Sequence, residues 1–315
     1  MPLISIVIVN WNGRSWLETC LPPLQAQTCQ DFEVVLVDNA STDDSVSWLN
    51  RLWPQVRLLT QSRNTGFATA NNRGIQATTS PYVVTLNNDT LVSPTWLAEL
   101  VTAVSPPDVG MVASRIVQWQ QPHLLDSAGI DVDRAGIAWQ RGWGQKVETA
   151  VTPRHVFGPS AAAALYRRTM LDQIGLFDDD YFAYYEDVDL AWRAQQTGWR
   201  CAYAPAAEVR HWHSATAAVM PDRKLYLISR NKIWTLLKNY PSGVWRDLPL
   251  ILAYDWLGAV YQTTRTRRSA ALRGRLDALR QRHVALRKRP SVVTAVPLAP
   301  ATPPWRVARR TRPLA

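Results

Sequence analysis

The chain has 315 residues, 47% of them hydrophobic, with 35 Lys+Arg against 25 Asp+Glu for a formal charge of +10. That is apolar material enough for one large domain with an appendage. Three cysteines, Cys20, Cys29 and Cys201, form no CxxC pair, which excludes a disulfide framework and a cysteine zinc site and fits a reducing compartment.

The opening apolar run, Ile4 to Val9, is too short for a signal peptide or a membrane span, so nothing in it directs the chain out of the cytosol. The positive charge is unevenly divided. Residues 1–262 hold 21 Lys+Arg against 24 Asp+Glu, whereas residues 263–315 hold 14 against one. A basic tail on a slightly acidic body points to an anionic partner for the tail, membrane or nucleic acid, and says little about the body.

Strand-like runs at 4–9, 33–37, 56–59, 82–86 and 109–113 alternate with helical stretches at 14–26, 43–53, 66–78 and 94–104. Their hydrophobicity is continuous rather than alternating, as in strands covered on both faces. The pattern predicts an α/β fold with a mostly parallel sheet flanked by helices. Polar clusters follow the strands, "NWN" after the first, "DNASTDD" after the second and "NNDT" after the fourth. Because ligands bind at the carboxyl ends of strands in such sheets, Asn10, Asp38, Asn87, Asn88 and Asp89 are predicted to converge.

Residues 115–157, rich in Gly and Trp, read as loops and short strands over that rim. Small residues follow in "FGPSAAAALYRR", then a helix at 168–175, an acidic run, a helix from about 187 to 197 ended by Gly198, and a strand at 200–210. Beyond 222 a basic, apolar helix runs to Pro241. The stretch 244–262 is apolar but interrupted by Arg246, Asp247, Pro249 and Asp255, too broken for a span; interfacial, packed and self-associating roles stay open for it. Residues 269–289 set Leu272, Leu276, Leu279 and Leu286 on one helical face among arginines, the pattern of an interfacial helix on an anionic surface. Residues 290–315, rich in Pro, Ala, Thr and Arg, are expected to be disordered.

Each polar constellation has two readings. Asp38 either caps the following helix or accepts a hydrogen bond from the imide N–H of a pyrimidine. "NNDT" is either a turn or, in a chain without a GxGxxG loop, the place where Asp89 holds a divalent cation bridging a diphosphate. In "YYEDVDLAWR", Asp189 and Arg193 are spaced for a helical ion pair, whereas Asp187 and Glu186 follow the aromatic "YFAYY" and are candidates for a general base. His211 and His213 are either ordinary core or surface histidines or contacts to a metal or diphosphate.

These residues together resemble the inverting GT-A glycosyltransferases of family 2, and among them the rhamnosyltransferase-like bacterial enzymes. The resemblance covers roughly 3–240 and rests on "SIVIVNWNG", "VDNASTDDS", "NTGFATANNRGI", "LNNDT", "GLFDDDYFAYYEDVDLAWR" and "VRHWHSAT" in that order. It implies a GT-A, Rossmann-like domain at 1–222, with a donor half to about 115 and an acceptor half from 116. A basic amphipathic, membrane-associated helical region then spans 223–289.

It further implies donor binding by Asn10, Asn12, Asp38, Asn64, Gly66, Asn72, Asn87 and Asn88, and Mg2+ or Mn2+ held by Asp89 and His211. Asp187 takes the catalytic-base position with Glu186 in support, and Trp139, Gly158 and Tyr185 lie on the acceptor side. The implied donor is dTDP-rhamnose or another dTDP- or UDP-sugar. The implied acceptor is a polyprenyl-diphosphate-linked glycan at the cytoplasmic face of the cell membrane, with no nucleic acid involved.

Asn87 opens the position where the family motif has a carboxylate, which leaves one carboxylate for the metal. No Q-x-x-R-W follows the acidic motif, which argues against a processive synthase. Two other classes fit less well. A nucleotidyltransferase lacks its Gly-rich phosphate loop here, and a nucleic-acid binder would need a basic body.

Overall fold

The run of Ile and Val at the start forms strand β1 (Ile4–Asn10), whose Ile4, Ile6, Val7 and Ile8 are fully buried, as a strand covered on both faces requires. In this computed structural model, which describes residues 1–150, 153–212, 220–241 and 246–301, β1 lies between β2 (Phe32–Asp38) and β4 (Tyr82–Asn87). It runs parallel to both, and β3 (Arg57–Thr60) extends the sheet beyond β2.

On the other side the sheet continues through β11 (Ala163–Arg167), antiparallel to both β4 and β6 (Val109–Gln118), then β12 (Arg200–His211), parallel to β6, and β10 (His155–Val156). Two short strands branch off: β5 (Thr90–Val92) pairs with β12, and β7 (Leu125–Ser127) pairs with β6. Six strands, β1 to β4, β6 and β12, run one way, the parallel set expected, and β11, β10, β5 and β7 run against them.

Register decides what the carboxyl edge carries. Asn10 is paired with Asp38 and Val9 with Asn87, so β1, β2 and β4 end together and deliver their terminal polar residues to one edge. The flanking helices are α1 (Arg14–Cys20), α2 (Pro22–Gln25), α3 (Ser45–Leu52), α4 (Gly66–Gln76), α5 (Trp96–Ala103), α6 (Arg168–Ile174) and α7 (Glu186–Gln196). The single helix expected at 14–26 is two pieces because Pro22 starts a new turn. Helix α4 comes close to the sheet: a side chain at Gly74 would strike Val7 and Val37.

The chain divides into two compact units, Met1–Ile130 with Gln140–Ala215, and Asp131–Trp139 with Thr216–Ala315. The boundary therefore falls earlier than the expected 222, and residues 131–139, expected in the acceptor half, belong to the second unit. A two-stranded ribbon of β8 (Ile130–Val132) and β9 (Ala138–Gln140) brackets that excursion.

The second unit contains α8 (Pro221–Asn239), α9 (Leu248–Thr266), α10 (Ala270–Arg280) and α11 (Arg282–Leu286). Its interior holds an ion cluster: Asp255 accepts from Lys232 Nζ at 3.3 Å and from Arg275 Nε at 2.9 Å, all three residues buried. The expected disordered segment is not free throughout. Ala299 N–H donates to Val132 O and Ala299 O accepts from Arg134 N, at 2.9 and 3.0 Å; residues 302–315 lie outside the described residues. Among the described residues no helix is long and apolar enough to cross a membrane.

Candidate functional site

The shared edge of β1, β2 and β4 carries a hydrogen-bonded polar lattice. The Asn10 amide donates to Asp38 Oδ1 at 3.3 Å and to Ser41 Oγ at 3.2 Å, and Asn10 Oδ1 accepts from Asn88 Nδ2 at 2.8 Å. Asp38 Oδ2 accepts from Ser41 N at 3.0 Å. The carboxylate therefore closes the turn after β2, while Asp43 accepts from the first backbone N–H of α3. Asn12 sits at φ 50 and ties the two loops together by accepting from Thr42 N at 2.7 Å.

The N-T-G-F segment is held by a residue that the sequence reading missed. Asn39, buried next to Asp38, donates to Asn64 Oδ1 and Gly66 O and accepts from Thr65 N. Gly66 stands at φ 89 with Phe182 against it, a position closed to any side chain. Asn72, expected to bind the donor, is engaged within the protein. Both of its N–H donors are taken, by Phe177 O and Asp179 Oδ1 at 2.7 Å each, and its Oδ1 accepts from Phe177 N. It braces α4 to the acidic segment.

Beside this lattice, one imidazole joins two carboxylates. His211, the last residue of β12, has Nε2 3.3 Å from Asp89 Oδ1 and Nδ1 2.7 Å from Asp126 Oδ2. Asn87 Nδ2 lies 3.5 Å from the same Nε2. Burial disfavours charge on the ring, but the hydrogen bonds and charges of Asp126 and Asp89 outweigh it and lift its pKa to about 10.

Asp126, on β7, lies in a stretch that reads as loop, and no motif marks it. Trp212, also unmarked, donates its backbone N–H to Asp89 O, and its ring packs 5.1 Å from Trp16 and 5.8 Å from Trp119. His213 lies outside the described residues.

The residues fit a divalent cation, though sparsely. Asp89 and His211 offer one oxygen and one nitrogen, a mixture suited to Mn2+ or Mg2+ at a site the substrate completes. The carboxylate behind the far nitrogen of His211 is the usual support of a metal-ligating histidine. Among the described residues no group of three or more potential protein ligands gathers anywhere.

The acidic segment stands on strained backbone. Phe182, Tyr184 and Tyr185 take φ of 66, 69 and 70, and Tyr185 is the residue from which α7 starts. Positive-φ residues of this kind cost on the order of 1–3 kcal/mol each and persist where neighbours over-determine them. Those neighbours are Asn72, and Ala68, whose N–H donates to Phe182 O. Asp189 and Arg193 form the expected pair at 2.9 Å, and Arg193 also donates to Ile174 O and Leu176 O, closing the end of α6.

Glu186 and Asp187 have no cation beside them among the described contacts. Glu186 is buried, its Oε2 makes no hydrogen bond, and desolvation followed by the charge of Asp187 pushes its pKa well above the carboxylate range. Asp187 is half-buried and accepts from Val188 N at 2.8 Å and, at 3.4 Å, from Ala161 N. Desolvation raises it to about 6 against those two N–H groups. Ala162, next to Ala161, accepts from Asn87 N. The strand entrance at 161–162 thus touches both the α7 carboxylate and the β4 end.

Gly158 is where that entrance passes α7, with no room for a side chain against Ala191. Trp139, expected on the acceptor side with Gly158 and Tyr185, belongs to the second unit.

The family description "Glycosyl transferase family 2" matches residues 5–175. A curated relative from Mycobacterium tuberculosis, an N-acetylglucosaminyl-diphospho-decaprenol L-rhamnosyltransferase, is 29% identical over 271 residues, covering 78% of this chain and 87% of its own. Among solved structures, the mannosyltransferase PcManGT from Pyrobaculum calidifontis with GDP-Man and Mn2+ aligns with TM-score 0.55 at 18% identity, over 89% of this chain and 86% of that one. GalNAc-T7 with UDP, GalNAc and Mn2+ aligns with TM-score 0.60 at 16% identity, over 77% and 49%. These likenesses agree with the GT-A fold expected from the sequence.

Proposed function

The chain belongs to glycosyltransferase family 2, and from that premise we propose that it transfers one sugar, with inversion, from a nucleoside-diphosphate sugar to a hydroxyl of a polyprenyl-diphosphate-linked glycan. The donor read first is dTDP-rhamnose, ahead of other dTDP- or UDP-sugars. The relative that acts as an L-rhamnosyltransferase on a decaprenol-linked N-acetylglucosamine supports both halves of this reading.

The observation that carries the mechanism is the contrast between two carboxylate environments in one unit: Asp89 paired with His211, and Asp187 desolvated with a pKa near 6. Asp187 is ionised at neutral pH yet basic enough to take the proton of an acceptor hydroxyl at its Oδ as the hydroxyl attacks the anomeric carbon. Glu186, its carboxyl pushed well above the usual range by burial and by the charge of Asp187, resists placing a second negative charge beside that oxygen. The polar lattice around Asn10, Asp38 and Asn88 offers hydrogen-bond partners to the nucleoside. A divalent cation held by Asp89 and His211 would offset negative charge on the departing nucleoside diphosphate. Were a cation to displace the proton from Nε2, Asp126 would keep the remaining proton on Nδ1 and leave the Nε2 lone pair to the cation. The basic helical region at 223–289 would hold the enzyme at the anionic cytoplasmic face of the membrane.

Calorimetric titration with dTDP, UDP and GDP, each with and without Mn2+, tests the donor half. One pyrimidine diphosphate should bind in a Mn2+-dependent way and lose that dependence in Asp89→Ala. In Asp126→Ala, Mn2+ affinity should fall by about 10–100-fold. Binding that is indifferent to Mn2+ and to both substitutions would remove the metal assignment.

A further inference from the structure

The second unit carries an apolar face that its own packing leaves uncovered. Helix α9 buries Ile251, Asp255 and Ala259 at a spacing of four, and its opposite side bears Leu252, Trp256, Leu257, Val260 and Tyr261, all exposed, Trp256 by 53% and Leu257 by 60%. Helix α10 repeats the arrangement. Ala270, Ala271, Gly274 and Ala278 are buried, Gly274 pressed against the α8 backbone at Tyr226, and Leu276 and Leu279 are left outside. Burying the small residues and exposing the large ones inverts what a helix does when its partner is only its own core.

Charge says what covers this face. From Arg265 to Lys288 eight lysines and arginines are exposed. The acids between 248 and 289 are Asp255 and Asp277; the first is buried between Lys232 and Arg275, and the second accepts from Tyr226 and Arg280. A second copy of the chain would bring the same basic set against itself. The C-terminal 302–315, with four arginines and no acid, is like-charged as well. An anionic bilayer is complementary, and it also suits Trp256 and Tyr261, because indole and phenol rings favour the headgroup boundary.

We propose that the α9 stripe Leu252, Trp256, Leu257, Val260 and Tyr261 lies in the headgroup–acyl boundary of an anionic membrane, with the arginines that follow it on lipid phosphates. The assignment rests on the reading of the acceptor as lipid-linked and makes it more specific. The inserting element is α9, while the leucines of 269–289 that the sequence singled out flank it. It also explains why 244–262 is apolar yet broken by a buried aspartate: Asp255 anchors the inner face and leaves the outer one for lipid.

The test is flotation of the full chain with phosphatidylcholine vesicles and with vesicles containing phosphatidylglycerol. The wild type should float only with the anionic vesicles. Trp256→Ser with Val260→Ser should weaken that binding by on the order of tenfold or more, since large apolar side chains leave the boundary. A fluorophore at Leu257→Cys should shift to the blue on the same vesicles. Nucleoside-diphosphate binding, measured by calorimetry on the same double variant, should be unchanged. Undiminished flotation of the double variant, or no spectral shift, overturns the proposal while leaving the glycosyltransferase reading intact. Absence of nucleotide binding in the wild type would strike that reading and leave the flotation result standing. Concentration-dependent dimerisation that the double variant abolishes, without vesicle binding, assigns the face to a second copy and overturns the membrane.

Discussion

The start of α7 and the middle of α9 both bury carboxylates, and they do so with opposite electrostatics. Asp255 sits between Lys232 and Arg275, its charge matched twice over. Glu186 and Asp187 are instead desolvated by burial, the charge of Asp187 bears on Glu186, and Asp187 accepts from the N–H groups of Val188 and Ala161. The first arrangement holds three helices in register. The second sets two desolvated carboxyls side by side, both raised and Asp187 to about 6, which supports the acid–base role proposed for Asp187.

Removing the poised carboxylate should have the largest effect on activity. Asp187→Asn is expected to lower kcat by about 10²–10⁴-fold in a transfer assay with nucleotide sugar and lipid-linked acceptor. Activity of the wild type should rise with pH through about 6, where Asp187 ionises, and the residual activity of the variant should lack that limb. A variant as fast as the wild type would turn α7 into a structural site like α9.

The converse substitution, Asp255→Ala, leaves Lys232 and Arg275 buried without their carboxylate. It should cost about 3–5 kcal/mol in chemical denaturation and leave the pH limb where it is. A shifted limb would erase the distinction between the two regions.

The smallest effect concerns Glu186. Its folded-state pKa is raised above the unfolded one by burial, so its contribution to stability is complete below the unfolded carboxyl range and is lost as pH rises through the raised value. As pH rises above the ordinary carboxyl range, the wild type should therefore lose Tm more steeply than Glu186→Gln, which has nothing to ionise. Parallel Tm profiles would show that burial does not raise the Glu186 carboxyl.

Much of the first unit was legible before any coordinate. Short continuous runs rich in Ile and Val favour strands buried on both faces, and polar clusters immediately after them belong at the carboxyl edge of the sheet. The Asn10–Asp38 register and the position of Asn87 bear that out. The Asp189–Arg193 pair was legible because it is local, one helical turn apart. The bracing contacts of Asn72 were not legible because its partners lie over a hundred positions later, at Phe177 and Asp179. Asp126 was invisible for the same reason: only the antiparallel return of β7 along β6 brings it behind His211.

By itself the sequence determined the α/β alternation, the polar edge, the division between acidic body and basic tail, and the family, since each is written in local order and in motifs. Tertiary structure decided the matters that depend on burial. It desolvated Glu186 and Asp187 while giving Asp255 two cations. It turned the large side chains of α9 outward and the small ones of α10 inward. Charge and apolarity can be counted along a chain, but whether a carboxylate is desolvated, or a tryptophan covered, depends on which distant residues fold against it.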